Sequence, residues 1–130
     1  MAELPFGTDA PAISTDHALP DQLSETVTSA TTGSAYDIDV TQGTVWDLTL
    51  DNNVTLSFSG EPASRASSVT LVLTQDGTGG RSVAWPSEVD WPGGSAPSLS
   101  TSANATDVVM LFTVDGGTTW LGQLGGTGFA

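Results

Sequence analysis

From Glu25 onward, apolar residues recur at every second position, and that period dictates strands. Tyr36, Ile38 and Val40 alternate with Asp37 and Asp39, so one face is apolar and the other acidic. Trp46, Leu48 and Leu50 alternate with Val45, Asp47 and Thr49. Asp51-Asn52-Asn53 then turns the chain, and Val54, Leu56 and Phe58 continue the alternation. That stretch reads as a hairpin, because Asx residues tolerate the positive φ of a tight turn. Val69, Leu71 and Leu73 form a further strand, with Val72 adding an apolar residue on its second face. Residues 107–114, DVVMLFTV, are the most continuously apolar run and predict a central strand buried on both faces. Asp115-Gly116-Gly117 predicts a hairpin, and Thr118 to Leu124 pairs back with Trp120, Gly122 and Leu124 on one face. The closing Gly-rich residues are a flexible tail unless Phe129 docks. No segment carries a capped 3.6-residue stripe, so no long helix is expected.

Seven or eight short strands with Gly turns predict an all-β fold: an antiparallel β-sandwich, Greek-key or jelly-roll-like, over residues 25–130. Its inward face would hold Trp46, Leu48, Leu56, Phe58, Val69, Leu71, Val83, Val108, Met110, Phe112 and Trp120. On that reading Phe112→Ala costs roughly 3–5 kcal/mol. Residues 1–24 lack periodicity and are punctuated by Pro5, Pro11 and Pro20. They predict an extended N-terminal arm, with Leu4, Phe6 and Ile13 as its anchors. His17, the single histidine, sits beside Asp16 in this arm and reads as solvated.

The most distinctive stretch is 79–97, GGRSVAWPSEVDWPGGSAP. Each Pro lacks a backbone donor and biases the preceding Trp85 or Trp91 to an extended conformation. Two large aromatics on a stiff backbone make a plug, for a core or for a neighbouring subunit. Trp85, Trp91 and Trp120 could also form a sugar-stacking platform.

Charge narrows the partners. The net charge is -13, with 15 acidic residues against 2 basic ones, and cysteine is absent. Nucleic acid and anionic membranes both need basic footprints and are excluded as partners. No apolar run is long enough to span a bilayer. Disulfides and thiolate metal sites are excluded too. So acidic a surface fits a high-salt host, since at about 1 M salt the screening length is roughly 3 Å and self-repulsion fades. Arg65 and Arg81, the two cations, each predict a pairing with carboxylates or carbonyls at a buried or subunit boundary. The start, MAELPFGTDAP, lacks the basic segment and apolar run of a secretory signal, which points to synthesis in a host cytoplasm.

Several motifs converge on one resemblance. They are Arg65-Ala66-Ser67-Ser68; residues 73–81, LTQDGTGGR; Trp85-Pro86; residues 89–94, VDWPGG, with Ala96-Pro97; and Asp107-Val108 followed by residues 112–120, FTVDGGTTW. From about residue 43 the chain resembles a surface structural module of tailed viruses. The module recurs in tail-fibre and in capsid decoration or turret proteins of phages and haloarchaeal tailed viruses. The resemblance implies a β-rich, commonly trimeric virion component. The module usually carries Lys before its second Trp-Pro pair, where this chain has Asp90.

No catalytic constellation is present: hydroxyls are many, but no Gly-x-Ser-x-Gly elbow occurs, and no cofactor is implied. Asp37 with Asp39, and Asp115 with its turn carbonyls, are weak cation candidates, because hard cations take clustered oxygens. The expected function is therefore a non-enzymatic virion protein, a capsid decoration or turret component stabilising the particle through oligomeric and arm contacts. Its partners would be copies of itself, a trimer being what the resemblance implies, and other virion proteins such as the major capsid protein or tail components. The alternative is a receptor-binding tail-fibre tip, in which Trp91 and nearby loops meet a host surface glycan. Trp85, Trp91, Arg65 and Arg81 would form the interface or the ligand platform.

Overall fold

In the computed structural model, residues 24–130 are described. The arm anchors Leu4, Phe6 and Ile13, and His17, lie outside them. Among the described residues nine strands form: β1 (Val27–Thr31), β2 (Ala35–Asp39), β3 (Val45–Leu50), β4 (Val54–Ser59), β5 (Ser67–Gln75), β6 (Val83–Ala84), β7 (Val89–Asp90), β8 (Thr106–Thr113) and β9 (Trp120–Phe129). The one helical element among the described residues is a 3-10 turn at Pro92–Gly94. The all-β expectation holds.

The connectivity differs from the expected antiparallel sandwich. One sheet has the order β1-β3-β5-β8-β9-β7, and the other β2-β4-β6. From β1 to β6 the chain alternates between the sheets, and neighbours within each sheet are parallel. This part is a coil wound around a shared core, neither a Greek key nor a jelly roll. Antiparallel pairing begins only at β5-β8 and continues in β8-β9.

The Asx turn after β3 shows why. It does not close a hairpin; β4 lies in the opposite sheet. Asp51 Oδ1 accepts the Gly33 N–H at 2.9 Å, and Asn53 Oδ1 accepts the Ser82 N–H at 3.0 Å. Backbone bonds from Thr55 N–H to the Ser34 carbonyl and from Val54 N–H to the Ser82 carbonyl run alongside. The Asx side chains thus bind the corners of adjacent turns of the coil instead of their own backbone. Both topologies put alternate residues inward, so periodicity alone does not separate them.

The core lies between the sheets. Trp46, Leu48 and Leu50 of β3 and Val69, Leu71 and Leu73 of β5 face Ile38, Val54 and Leu56 across it, all buried. Phe58 stacks on Trp120 with ring centroids 4.9 Å apart. In β8 the inward residues are Val109 and Leu111, one position off the expected set. Met110 and Phe112 are instead 39% and 42% exposed, and Val108 is half-buried. The cause is register: Leu71 and Val69 point inward and pair with Val109 and Leu111. The run is apolar at both parities, so only its partner strand sets which face is inside. β8 is central in its sheet, yet its second face is open within one copy. β9 continues to Phe129, which pairs with Thr106, so the closing Gly-rich residues belong to the sheet. Leu124 pairs with buried Val109 at the same parity as Trp120 and Gly122, yet it is 37% exposed, next to the register shift that separates it from Gly126.

Outward positions follow the same register. The row Val27, Val45, Thr70, Met110 and Gln123 crosses five strands. Parallel to it run Ser68, Phe112 and Leu121. On β5, β8 and β9 the outward strand positions carry no charge; Asp47 on β3 and Asp90 on the edge strand β7 flank them.

Candidate functional site at the tryptophan corner

The two Trp-Pro bends close the edge between the sheets. Trp85 follows β6 of the small sheet, and Trp91 follows β7 of the large one. Trp91 is extended, at φ -114° and ψ 150°, as a residue before proline should be. The Gly94 N–H then donates to the Trp91 carbonyl at 2.8 Å, closing the 3-10 turn. Val89 pairs with Trp120, which anchors the bend to β9.

Trp91 lies against Gly122 of β9. A Cβ on Gly122 would stand 2.4 Å from Trp91 Cζ3, so only glycine leaves room for the ring. Trp85 meets Trp91 edge-on, with centroids 5.0 Å apart and planes at 68°. That is a favoured aromatic geometry. Both rings pack on the core and are half-buried. Trp120, the third member of the expected platform, is 1% exposed beneath Phe58 and takes no part.

Trp85 also lines a groove of about 210 Å³, together with Arg81, Pro97, Leu99 and Thr101. Its rim is held by polar bonds. Gln75 is 3% exposed, and its amide is satisfied on both sides: Nε2 donates to the Arg81 and Ser100 carbonyls, and Oε1 accepts the Arg81 N–H. Gly80 N–H donates to the Thr101 carbonyl at 2.8 Å. Gly79 has φ +77°, and a Cβ there would lie 2.6 Å from the Thr101 oxygen. The loop before β6 and the segment before β8 are therefore pinned together around the groove.

Arg81 pairs with Asp76: Nη2 to Oδ2 is 2.8 Å, and Nε donates to the same oxygen at 3.2 Å. Asp76 Oδ1 also accepts the Gly79 and Thr78 N–H groups. The guanidinium bond, then the Gly79 amide, hold its carboxyl down at about 2. Both groups are ionised across the neutral range. The pairing expected for Arg81 is thus found within one copy.

Arg65 is not part of this site. Its side chain is exposed, and its carbonyl accepts the Gly116 N–H at 3.0 Å beside the β8–β9 turn. It and Arg81 flank opposite ends of the nine-residue β5, about 30 Å of strand.

The acidic candidates have local partners. Asp37 accepts from the Ser57 and Ser59 hydroxyls. Asp39 accepts the Thr41 hydroxyl and N–H, which lowers its pKa. Asp115 accepts the Thr119 N–H and the Thr113 hydroxyl, again with a lowered pKa. No group of three or more His, Cys, Asp or Glu that could hold a metal occurs among the described residues. These carboxylates cap turns and tie strands.

A family model described as "Putative phage tail fibre C-terminal domain" matches residues 26–119. The chain belongs to this family of tailed-virus tail-fibre domains. The match covers the parallel coil and both Trp-Pro bends, and it supports a virion tail location; it lends no support to the capsid decoration or turret expected from the sequence. Neither a curated protein nor a solved structure matches the chain.

Proposed function

We propose that this domain is the host-contacting part of a tail fibre and that it takes a saccharide of the host surface in the groove beside Trp85. The observation that supports this is the presence in one groove of the Trp85 ring and of Arg81, whose guanidinium is held by Asp76. A sugar ring presents apolar C–H groups to an aromatic ring and hydroxyls to polar side chains, and the groove offers Trp85 for the first and Arg81, Ser82 and Thr101 for the second. At about 210 Å³ it is smaller than a drug-sized pocket, which suits one terminal sugar unit better than a long chain. The contact residue is then Trp85, with Trp91 as the strut that sets its angle. No reaction is assigned: the domain binds, and Ser82 and Thr101 near the groove are hydrogen-bonding groups rather than nucleophiles.

A glycan array probed with the whole chain tests this. Binding to a defined set of glycans is expected, lost in Trp85→Ala and in Arg81→Ala while circular dichroism stays native. Absence of glycan binding by the wild type, or binding that survives both substitutions, overturns the reading.

A further inference from the structure

We infer that the groove beside Trp85 takes uncharged saccharides and turns away acidic ones, and that Asp76 sets this choice. The inference rests on the proposed reading of the groove as a saccharide site and names the class of sugar that enters it.

The groove's cation is already in use. Arg81 is the one charged residue lining it; Trp85, Leu99, Ser82, Thr101 and the others are uncharged. A free arginine there would suit a carboxylate, because its planar donors match two carboxylate oxygens. Here a carboxylate of the protein holds that position. Asp76 Oδ2 accepts from Nε at 3.2 Å and from Nη2 at 2.8 Å. Among the described residues, the hydrogen bonds of the guanidinium all go to Asp76. Asp76 is itself fixed, since its Oδ1 accepts the Thr78 and Gly79 N–H groups at 3.0 and 2.9 Å. It cannot swing aside for a ligand without losing both amides.

Charge then decides what the remaining donors accept. Arginine has five N–H donors, and Asp76 faces two of the three nitrogens, so a sugar hydroxyl can still be bound. A hydroxyl adds no charge. An acidic sugar would bring a second carboxylate to one guanidinium. Asp51 is a further anion within reach of the same cation: the Asp76 hydrogen bond, and then the charges of Asp76 and Asp51, raise the Arg81 pKa. The Arg81 and Asp76 side chains are only 27% and 20% exposed, so water screens this excess of negative charge incompletely. The net charge of -13 on the whole chain acts in the same direction.

Calorimetric titration of the whole chain tests this with three matched glycans. One ends in a neutral hexose that the array shows to bind; the second has its C6 alcohol oxidised to a carboxylate; the third carries the uncharged carboxamide of that acid. At about 0.1 M salt the acid should bind roughly tenfold or more weakly than the carboxamide, and about 1 M salt should narrow the gap. Asp76→Asn should narrow it too, by removing an anion and releasing the guanidinium. Acid bound as tightly as the carboxamide, or array binding confined to acidic glycans, overturns the inference and leaves the saccharide reading standing. A folded Asp76→Asn variant that keeps the wild-type ratio also overturns it. Should that variant not fold, the wild-type ratio at the two salt concentrations decides, and an unchanged ratio overturns the inference. A chain that binds no glycan overturns the saccharide reading, and this inference with it.

Discussion

Leu111 and Phe112 are consecutive, yet they point to opposite faces of β8, so truncating each measures the register. Leu111 is 2% exposed and packs between the sheets. Leu111→Ala loses transfer energy and leaves a cavity, about 2–5 kcal/mol. For a domain of this size that lowers Tm by on the order of 10–25 °C. Phe112 is 42% exposed within one copy. Fully burying a Phe contributes about 1.5–3 kcal/mol, so the part buried here is worth about 1–2 kcal/mol. The smaller side chain should therefore cost more. Urea or thermal unfolding should be followed at a dilution where the wild-type transition no longer depends on concentration, so that association does not contribute. The reasoning fails if Phe112→Ala costs 3–5 kcal/mol and Leu111→Ala less than about 1 kcal/mol, because the faces would then be reversed.

Other outcomes follow from named contacts. Gly122→Ala drives a methyl into the Trp91 ring and should cost roughly 1–3 kcal/mol, with a shift in tryptophan emission; an unchanged protein would refute the packing of Trp91 on β9. The Asp76 carboxyl is lowered to about 2 in the fold, so its contribution is present above its ordinary value near 3.8 and fades as pH falls towards 2. Wild type should exceed Asp76→Asn in stability at pH 6, and the gap should close by about pH 2; a gap independent of pH would rule out the ion pair as its cause. Raising salt from about 0.1 M to 1 M should raise Tm, since screening falls from about 10 Å to 3 Å and relieves repulsion in a chain of net charge -13; a flat response would remove the charge-repulsion argument.

The all-β class was legible because alternation is unambiguous where Asp, Thr or Ser separate the apolar residues, as in β3 and β5. The coil was not, because Asp51 and Asn53 serve equally as hairpin residues or as ties to the next turn, and their partners Gly33 and Ser82 are distant in sequence. The face of β8 was not legible either, since Val108 to Phe112 is apolar throughout. The tryptophan corner was visible from its two Trp-Pro pairs, but the division between Trp91 as strut and Trp85 as groove wall depends on Gly122. One signal for the groove was present and easy to pass over. Gln75 falls at an inward parity after Val69, Leu71 and Leu73, and a buried amide there had to find partners, which are Arg81 and Ser100.

The proposed function makes the sheet-edge groove beside Trp85 the surface that would meet the host. Hydroxyl-radical footprinting of the wild-type chain, read by mass spectrometry with and without a glycan that the array shows it to bind, tests that most directly. Trp85 should be reactive in the free chain and protected by the glycan, with buried Trp46 unreactive in both. A Trp85 as protected as Trp46 in the free chain, or one whose reactivity the glycan leaves unchanged, would contradict it.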